Sequence, residues 1–230
     1  VACDYARWGW ADSAIFTVDP LIAANKVTDP QQRDIYFKAS RLKAMTYAGR
    51  SRFQDALTIL YKIVGEAETY KDSLTLGENL NSIGSVALAR GNSRDALTWL
   101  SRALTACSND ERFDGIRAGV FINMADACLQ SGKTDAAVQY SEKGVALFKQ
   151  VENLSSLALA LQKQSSVFIA AGRLDEAEQS LKEMIALRKE TGDGNLYADD
   201  NTSLAEFYVQ TNQVKKAIQF CKDALLVGDV

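Results

Sequence analysis

The side chains that most often carry chemistry in proteins are scarce in this sequence. It contains no histidine, the commonest general base, and its four cysteines form no CxxC pair. The cysteines lie far apart, at positions 3, 107, 128 and 221. We therefore expect no catalytic site, no metal site and no cofactor. Free, mostly buried thiols are the expected state of the cysteines, and they weakly favour a reducing compartment.

The remaining polar patterns have ordinary structural explanations. The acidic pairs Asp110-Glu111 and Asp199-Asp200 lie at expected helix starts, where negative charge interacts favourably with the helix dipole. The net charge is −3, with 26 basic and 29 acidic residues interleaved, which argues against binding of nucleic acid. No stretch approaches 18 consecutive apolar residues, so we expect no membrane span within this chain.

One short sequence motif recurs along the chain, and its spacing predicts the helices of the fold. The motif is Gly-x-x-x-x-Ala in its clearest copies, at residues 91–96, 132–137 and 172–177. Looser copies extend the pattern, so that alanines recur every 40 to 42 residues, at positions 14, 56, 96, 137, 177 and 217. A period of this length indicates a repeat architecture.

Each copy predicts two helices. Apolar residues follow the alanine at offsets of 1, 4, 7 and 8, which is one stripe of an α-helix. Another helix precedes the turn, and 12 positions before the alanine it carries a small residue that lets two helices approach closely. These small residues are Ala2, Ala44, Gly84, Ala125, Ser165 and Ala205. The glycine at the turn supplies a left-handed backbone that ends the first helix. The sequence therefore predicts an all-α fold of helix hairpins.

The pattern resembles the tetratricopeptide repeat. Leu80, Ile83-Gly84 and Ala87, followed by the motif at 91–96, match the family closely, and six aligned copies cover essentially the whole chain. The resemblance implies a right-handed α-solenoid whose first helices line a concave surface. The period of about 40 differs from the family's commonest 34, and the helix-ending proline is missing. Repeats of this length resemble those of bacterial signalling proteins that carry a histidine kinase or a helix-turn-helix regulator.

We predict one solenoid over residues 1–230 that is a fragment of a longer protein, because the segment around Ala2 and Tyr5 aligns with the middle of a first helix. The repeats run roughly over 1–29 (incomplete), 30–69, 70–110, 111–151, 152–192 and 193–230.

The resemblance also predicts a peptide-binding groove on the first helices. Its positions lie at offsets −6, −3, −2, +1, +4 and +5 from each small residue. The candidate residues are Asn81, Ser85, Ile122, Asn123, Asp126, Leu129, Gln162, Lys163, Ser166, Ile169, Thr202 and Glu206. The Lys and Asn set with which some family members hold a terminal carboxylate is absent, since Arg41 at −3 has Met45 at +1.

Three functions are consistent with this pattern. The favoured one is a non-catalytic module that binds a protein or an extended peptide, as the sensory or regulatory part of a larger bacterial signalling protein. In that case we expect the output domain beyond residue 230. The alternative is a stand-alone interaction scaffold. The third, an enzyme, has no candidate site. The compartment would be periplasmic if the chain is the sensor of a membrane kinase.

Overall fold

The computed structural model describes residues 11–191 and 194–227, and all the regular structure in them is helical. The α-helices are α1 (Ala11–Ala24), α2 (Pro30–Gly49), α3 (Phe53–Tyr70), α4 (Ser73–Ala89), α5 (Ser93–Ala106), α6 (Asp114–Gln130), α7 (Thr134–Gln150), α8 (Leu154–Ala170), α9 (Leu174–Thr191), α10 (Gly194–Gln210) and α11 (Val214–Val227). A short 3₁₀ turn, Glu111–Phe113, precedes α6. Even-numbered helices are the first helices of the predicted hairpins and odd-numbered helices the second. The predicted all-α class is confirmed.

Polar side chains fix the starts of several first helices. The side chain of Asp72 accepts a hydrogen bond from the backbone N–H of Thr75 at 3.1 Å at the start of α4. Asn153 accepts in the same way from Ser156 at 3.0 Å, at the start of α8. Such caps satisfy backbone donors that have no partner within the helix.

The turn inside each hairpin repeats the same left-handed backbone. The φ angles of Gly91, Gly132 and Gly172 are 73°, 71° and 73°. Ser51 and Asn212 occupy the same repeat position without being glycine, and their φ angles are 60° and 59°. The predicted helix-ending role of this position is therefore confirmed in five hairpins. Three of them have glycine there, which adopts positive φ without steric strain.

The chain divides into two compact units, Val1–Asn123 and Met124–Val230, and the division falls inside α6. In the first unit, α4 packs on α5 around Leu80, Ile83 and Leu100, all at most 2% exposed. The small residue Gly84 faces α5 so closely that a Cβ there would lie 2.7 Å from both Cγ and Cδ2 of Leu100. This close approach explains why the repeat places a small residue at that position.

In the second unit, the core is built from Leu161 of α8, Met184 of α9, and Leu204 and Phe207 of α10, each at most 2% exposed. Helices α8 and α9 pack together, as do α9 with α10 and α10 with α11. The single domain over residues 1–230 and its repeat boundaries stay a prediction.

In α11 the predicted stripe of apolar residues after the repeat alanine is only partly buried. Ala217 is 4% exposed, but Ile218 is 52% exposed and Cys221 is also exposed. No described helix follows α11 to cover this side of it. Trp99 behaves as expected of inter-repeat packing, since its ring lies 5.6 Å from that of Tyr61 on α3.

Several expectations concern residues 1–10, which lie outside the described residues. They are the partial first helix with Ala2 and Tyr5, the tryptophans Trp8 and Trp10, and Cys3.

Candidate functional site

Each unit has a surface formed by its first helices, here called the first-helix surface. In the first unit it is formed by α2, α4 and the start of α6, and in the second by the end of α6, α8 and α10. All twelve predicted groove residues lie on these helices, because the offsets that define them follow one side of an α-helix.

In the first unit, two predicted residues bind each other. Asn123 Nδ2 donates a hydrogen bond of 2.9 Å to Oδ1 of Asn81, which joins α6 to α4. Ser85 is half-buried one turn further along α4. Ile122 is a correction to the predicted site: its side chain is only 4% exposed. It belongs to the core because its direction on α6 is turned inward from that of Asn123, and it offers no surface to a ligand.

In the second unit, two further pairs join neighbouring first helices. The ammonium of Lys163 on α8 donates to the carboxylate of Asp126 on α6, and both side chains are half-buried. Gln162 Nε2 on α8 lies 3.4 Å from Oγ of Ser203 on α10. Residues that the sequence suggested as ligands for a peptide therefore already hold one another.

Two of these three pairings follow a rule that the sequence contained. In them a residue at offset −3 of one first helix binds a residue at −2 of the next, as in Asn81 with Asn123 and Gln162 with Ser203. The complementary types at these offsets, an amide facing an amide or a hydroxyl, are the signal that could have predicted the pairs. A polar pair on a partly buried surface is worth about 0.5–1.5 kcal/mol. The pairs therefore fix the neighbouring helices of each unit side by side.

The second unit also has a cleft of about 220 Å³ between α8 and α10, with α9 beneath. Its lining is Gln162, Ser165, Ser166, Ile169, Leu181, Ser203, Glu206, Phe207 and Gln210. Four of the predicted groove residues, Gln162, Ser166, Ile169 and Glu206, therefore come together in one cavity. The other four candidates of this unit, Asp126, Leu129, Lys163 and Thr202, do not line it.

Five of the nine lining residues are not among the twelve candidates. Two of the five, Ser203 and Gln210, lie at the groove offsets −2 and +5 of the last repeat, so the predicted groove pattern includes them. Leu181 and Phe207 are core residues whose edges close the bottom of the cleft, and each is only 2% exposed. No sequence signal separates such a residue from the rest of the core.

The rim of the cleft has an uncompensated negative charge. Glu206 is exposed, and none of the hydrogen bonds or ion pairs within the described residues involves its carboxylate. Its helix, α10, has three acidic residues and no basic one. The facing helix, α8, has one charged residue, Lys163, whose ammonium is held by Asp126. The arrangement can accept hydrogen bonds from a cationic group, and its amides can both donate and accept.

A polar cluster lies at the junction of α9, α10 and α11. Tyr208 Oη donates to Glu178 Oε1 at 2.9 Å, and the ammonium groups of Lys182 and Lys216 lie 2.6 and 3.4 Å from the same carboxylate. The hydrogen bonds from Lys182 and Tyr208 hold the pKa of Glu178 below its usual value. The side chains of Lys182, Lys216 and Tyr208 all bind Glu178, so the cluster joins the three helices.

The two buried thiols among the described residues are poor nucleophiles. Cys107 and Cys128 are buried, and burial raises the pKa of Cys107 to about 11 and that of Cys128 above its usual value. A nucleophilic cysteine requires the opposite shift, because the thiolate is the reactive form. Residues 11–191 and 194–227 contain no group of three or more acidic or cysteine side chains placed to hold a metal ion. None of the helices described above is long and apolar enough to cross a membrane.

Comparisons with known proteins agree with this architecture. Residues 118–150 match the model of the tetratricopeptide repeat. The regulatory protein AfsR of Streptomyces griseus is 25% identical over 190 residues, which are 83% of this chain but 18% of AfsR. The chain thus spans less than a fifth of that relative's length.

Two solved structures share the fold. BtubC (BKLC) from P. vanneervenii superimposes with a TM-score of 0.72 at 15% identity, covering 96% of this chain and 89% of its own. A signal transduction ATPase with numerous domains from Pyrococcus horikoshii, which has a tetratricopeptide repeat sensor, gives a TM-score of 0.66 at 15% identity. That match covers 99% of this chain and 34% of the ATPase.

Proposed function

We propose that this chain, which has the tetratricopeptide-repeat fold, is a non-catalytic module that binds an extended polypeptide on the first-helix surface of its second unit. The observation that carries the proposal is the cleft between α8 and α10. Its volume of about 220 Å³ is below the roughly 300–1,000 Å³ of pockets that enclose a whole small molecule. The size therefore suits one side chain of a longer ligand better than a free cofactor.

The chemistry of the lining also favours a peptide. Gln162 and Gln210 each have an amide that donates and accepts, and the hydroxyl of Ser166 does the same. A peptide in extended conformation presents alternating N–H and C=O groups that need such partners. Ile169 and the edge of Phe207 supply an apolar wall for a side chain. We expect modest affinity, on the order of micromolar, because the peptide loses conformational freedom on docking.

Catalysis and nucleic acid binding have less support. The chain has no histidine, its described buried thiols have raised pKa values, and its net charge is −3. We therefore propose that the partner is a protein and that no substrate is turned over. Incubation of the purified chain with hydrolase and phosphotransferase substrates should leave them unchanged.

We further propose that the chain is the regulatory or sensory part of a larger protein. The curated relative is named a regulatory protein, and this chain corresponds to less than a fifth of it. One similar structure belongs to an ATPase in which the tetratricopeptide repeats are the sensor. An in-frame kinase, ATPase or DNA-binding region next to these residues in the gene would support the regulatory role. A stop codon and a start codon directly flanking them would favour the alternative, a stand-alone interaction scaffold.

The binding proposal can be tested by selecting peptides from a random 12-residue display library on the immobilised chain. Selected peptides are then titrated by fluorescence anisotropy against two double variants. Gln162→Ala with Gln210→Ala removes the cleft amides. Gln139→Ala with Gln179→Ala is the matched control, because both amides are exposed on second helices of the same unit.

We expect the cleft variant to raise Kd by at least about fivefold, since each lost hydrogen bond costs about 0.5–1.5 kcal/mol. The control variant should bind within about twofold of wild type. Selection of no peptide, or weakening by the control pair alone, would show that the first-helix surface of this unit is not a peptide site.

A further inference from the structure

The feature that carries a more specific inference is the carboxylate of Glu206 at the rim of the cleft. Carboxylates elsewhere on the described surface of this unit are commonly compensated: Asp126 binds Lys163, Glu183 binds Lys149, and Glu178 has two lysines. Glu206 is exposed and takes part in none of the ion pairs or hydrogen bonds between described residues. It is therefore the charged group that this surface leaves available at the cleft.

The described residues that line the cleft supply no cation to compensate it, since none of them is a lysine or an arginine. On α8, the ammonium of Lys163 is held by Asp126, and Lys216 at the start of α11 lies near Glu178. Among the described lining residues Glu206 therefore carries the one charge, and a negative charge favours a positively charged group in whatever binds there.

We infer that the peptide recognised by this cleft has a lysine or arginine side chain whose charged end pairs with Glu206. This inference rests on the proposed function, because it names the chemistry of the peptide at that same site. A long basic side chain combines an apolar stem with a charged end. Its stem can lie along Ile169 and the edge of Phe207, while its charged end reaches the rim.

Other anchors suit the site less well. An aspartate or glutamate would meet the like charge of Glu206. An aliphatic anchor would cover the carboxylate and remove water from it without replacing the lost hydrogen bonds, which is costly for a charged acceptor. A basic side chain is the type that uses both the apolar wall and the charge.

The test compares the peptides selected from the display library by the wild-type chain, by Glu206→Gln and by Glu206→Lys. We expect lysine or arginine to be enriched at one position of the wild-type peptides. That enrichment should disappear with Glu206→Gln and change to aspartate or glutamate with Glu206→Lys. Glu190→Gln is the matched control, because Glu190 is an exposed carboxylate on the second helix α9 and does not line the cleft.

A selected arginine peptide and its citrulline analogue, which keeps the shape and removes the charge, then give a double-mutant cycle by fluorescence anisotropy. We expect citrulline to weaken binding to wild type about three- to fivefold, the range of exposed ion pairs, and to leave binding to Glu206→Gln unchanged. The difference in Kd between the arginine and citrulline peptides on wild type should shrink as salt is raised from 50 to 500 mM, since exposed charges are screened.

The two proposals fail in different ways. This inference is wrong if the selected peptides have no enriched basic position. It is also wrong if citrulline weakens binding to wild type and to Glu206→Gln equally. Neither result would contradict peptide binding itself. Selection of no peptide by any form of the chain would overturn both. Retention of the fold by each variant is checked by its far-ultraviolet circular dichroism and thermal unfolding midpoint.

Discussion

Enlarging the small residue in the middle of a first helix should change the stability of the chain. Whether the change is a loss or a gain depends on one neighbouring side chain. At Gly84 an added Cβ would lie 2.7 Å from two atoms of Leu100, whereas ordinary contacts begin at 3.4 Å. Leu100 is fully buried, so the gap of about 0.7 Å can open only by moving the leucine or the helices. Overpacking of this kind costs about 1–3 kcal/mol. Alanine is favoured over glycine within a helix by about 1 kcal/mol, which offsets part of that cost.

We therefore expect Gly84→Ala to lower the free energy of unfolding, by up to about 2 kcal/mol. Leu100→Ala alone should lower it by about 2–5 kcal/mol, because it leaves a cavity. In the Leu100→Ala background the clash is gone, so the same Gly84→Ala change should raise stability by about 1 kcal/mol. The effect of the substitution on stability changes sign, which gives a coupling free energy of about 1–3 kcal/mol between the two positions.

The assay is urea unfolding followed by circular dichroism at 222 nm for the wild type, both single variants and the double variant. Gly65→Ala is the matched control, because Gly65 lies inside α3 and a Cβ there meets nothing within 4 Å. It should stabilise the chain by about 1 kcal/mol whatever residue 100 is. Equal destabilisation by Gly84→Ala in both backgrounds would refute the idea that Leu100 sets the size limit at this position.

Three further predictions concern the turn, the thiols and the response to acid. Ser51→Gly should raise the free energy of unfolding by about 0.5 kcal/mol in urea titrations, because relief of the left-handed serine exceeds the added freedom of the unfolded chain. Residue-resolved mass spectrometry after iodoacetamide treatment at pH 8 should find exposed Cys221 labelled and Cys107 unlabelled, since the pKa of Cys107 is about 11. Because the pKa of Glu178 is lower in the folded chain, its contribution to stability is present above the unfolded value of about 4.5 and is lost as pH falls through the folded value. Thermal unfolding of Glu178→Gln should therefore depend less steeply on pH below about 4.5 than that of wild type.

The hairpins could be predicted from the sequence because each signal acts locally. The alanine spacing, the stripe of apolar residues and the turn glycine each depend on the geometry of a single helix or turn. Ser51 and Asn212 were found at the same turn position even though neither is glycine, because the alanine spacing identified the position. The exposure of Ile218 could not be predicted in this way. Burial depends on which neighbour covers a helix, and the helical period does not contain that information.

The site was harder to predict, for a related reason. The offsets identified which residues lie on the first-helix surface, but not which of them bind each other across it. Asn81 with Asn123 and Lys163 with Asp126 are contacts between residues about 40 positions apart, set by the register of neighbouring helices. Ile122 shows the other limit. One position along a helix is a rotation of about 100°, enough to turn a predicted surface residue into the core.

The internal pairing has a consequence for how such a surface would recognise a partner. Side chains that are already held, such as Gln162 by Ser203, lose little further freedom when a peptide binds, so the cost of ordering them falls mainly on folding. A charged group that the fold does not use, such as Glu206, can change without removing a contact between helices. In this arrangement the paired residues determine the shape of the surface, and the unpaired ones determine which peptide it prefers. Substitution at position 206 should therefore change which peptide binds, whereas substitution at 126 or 163 should first change stability.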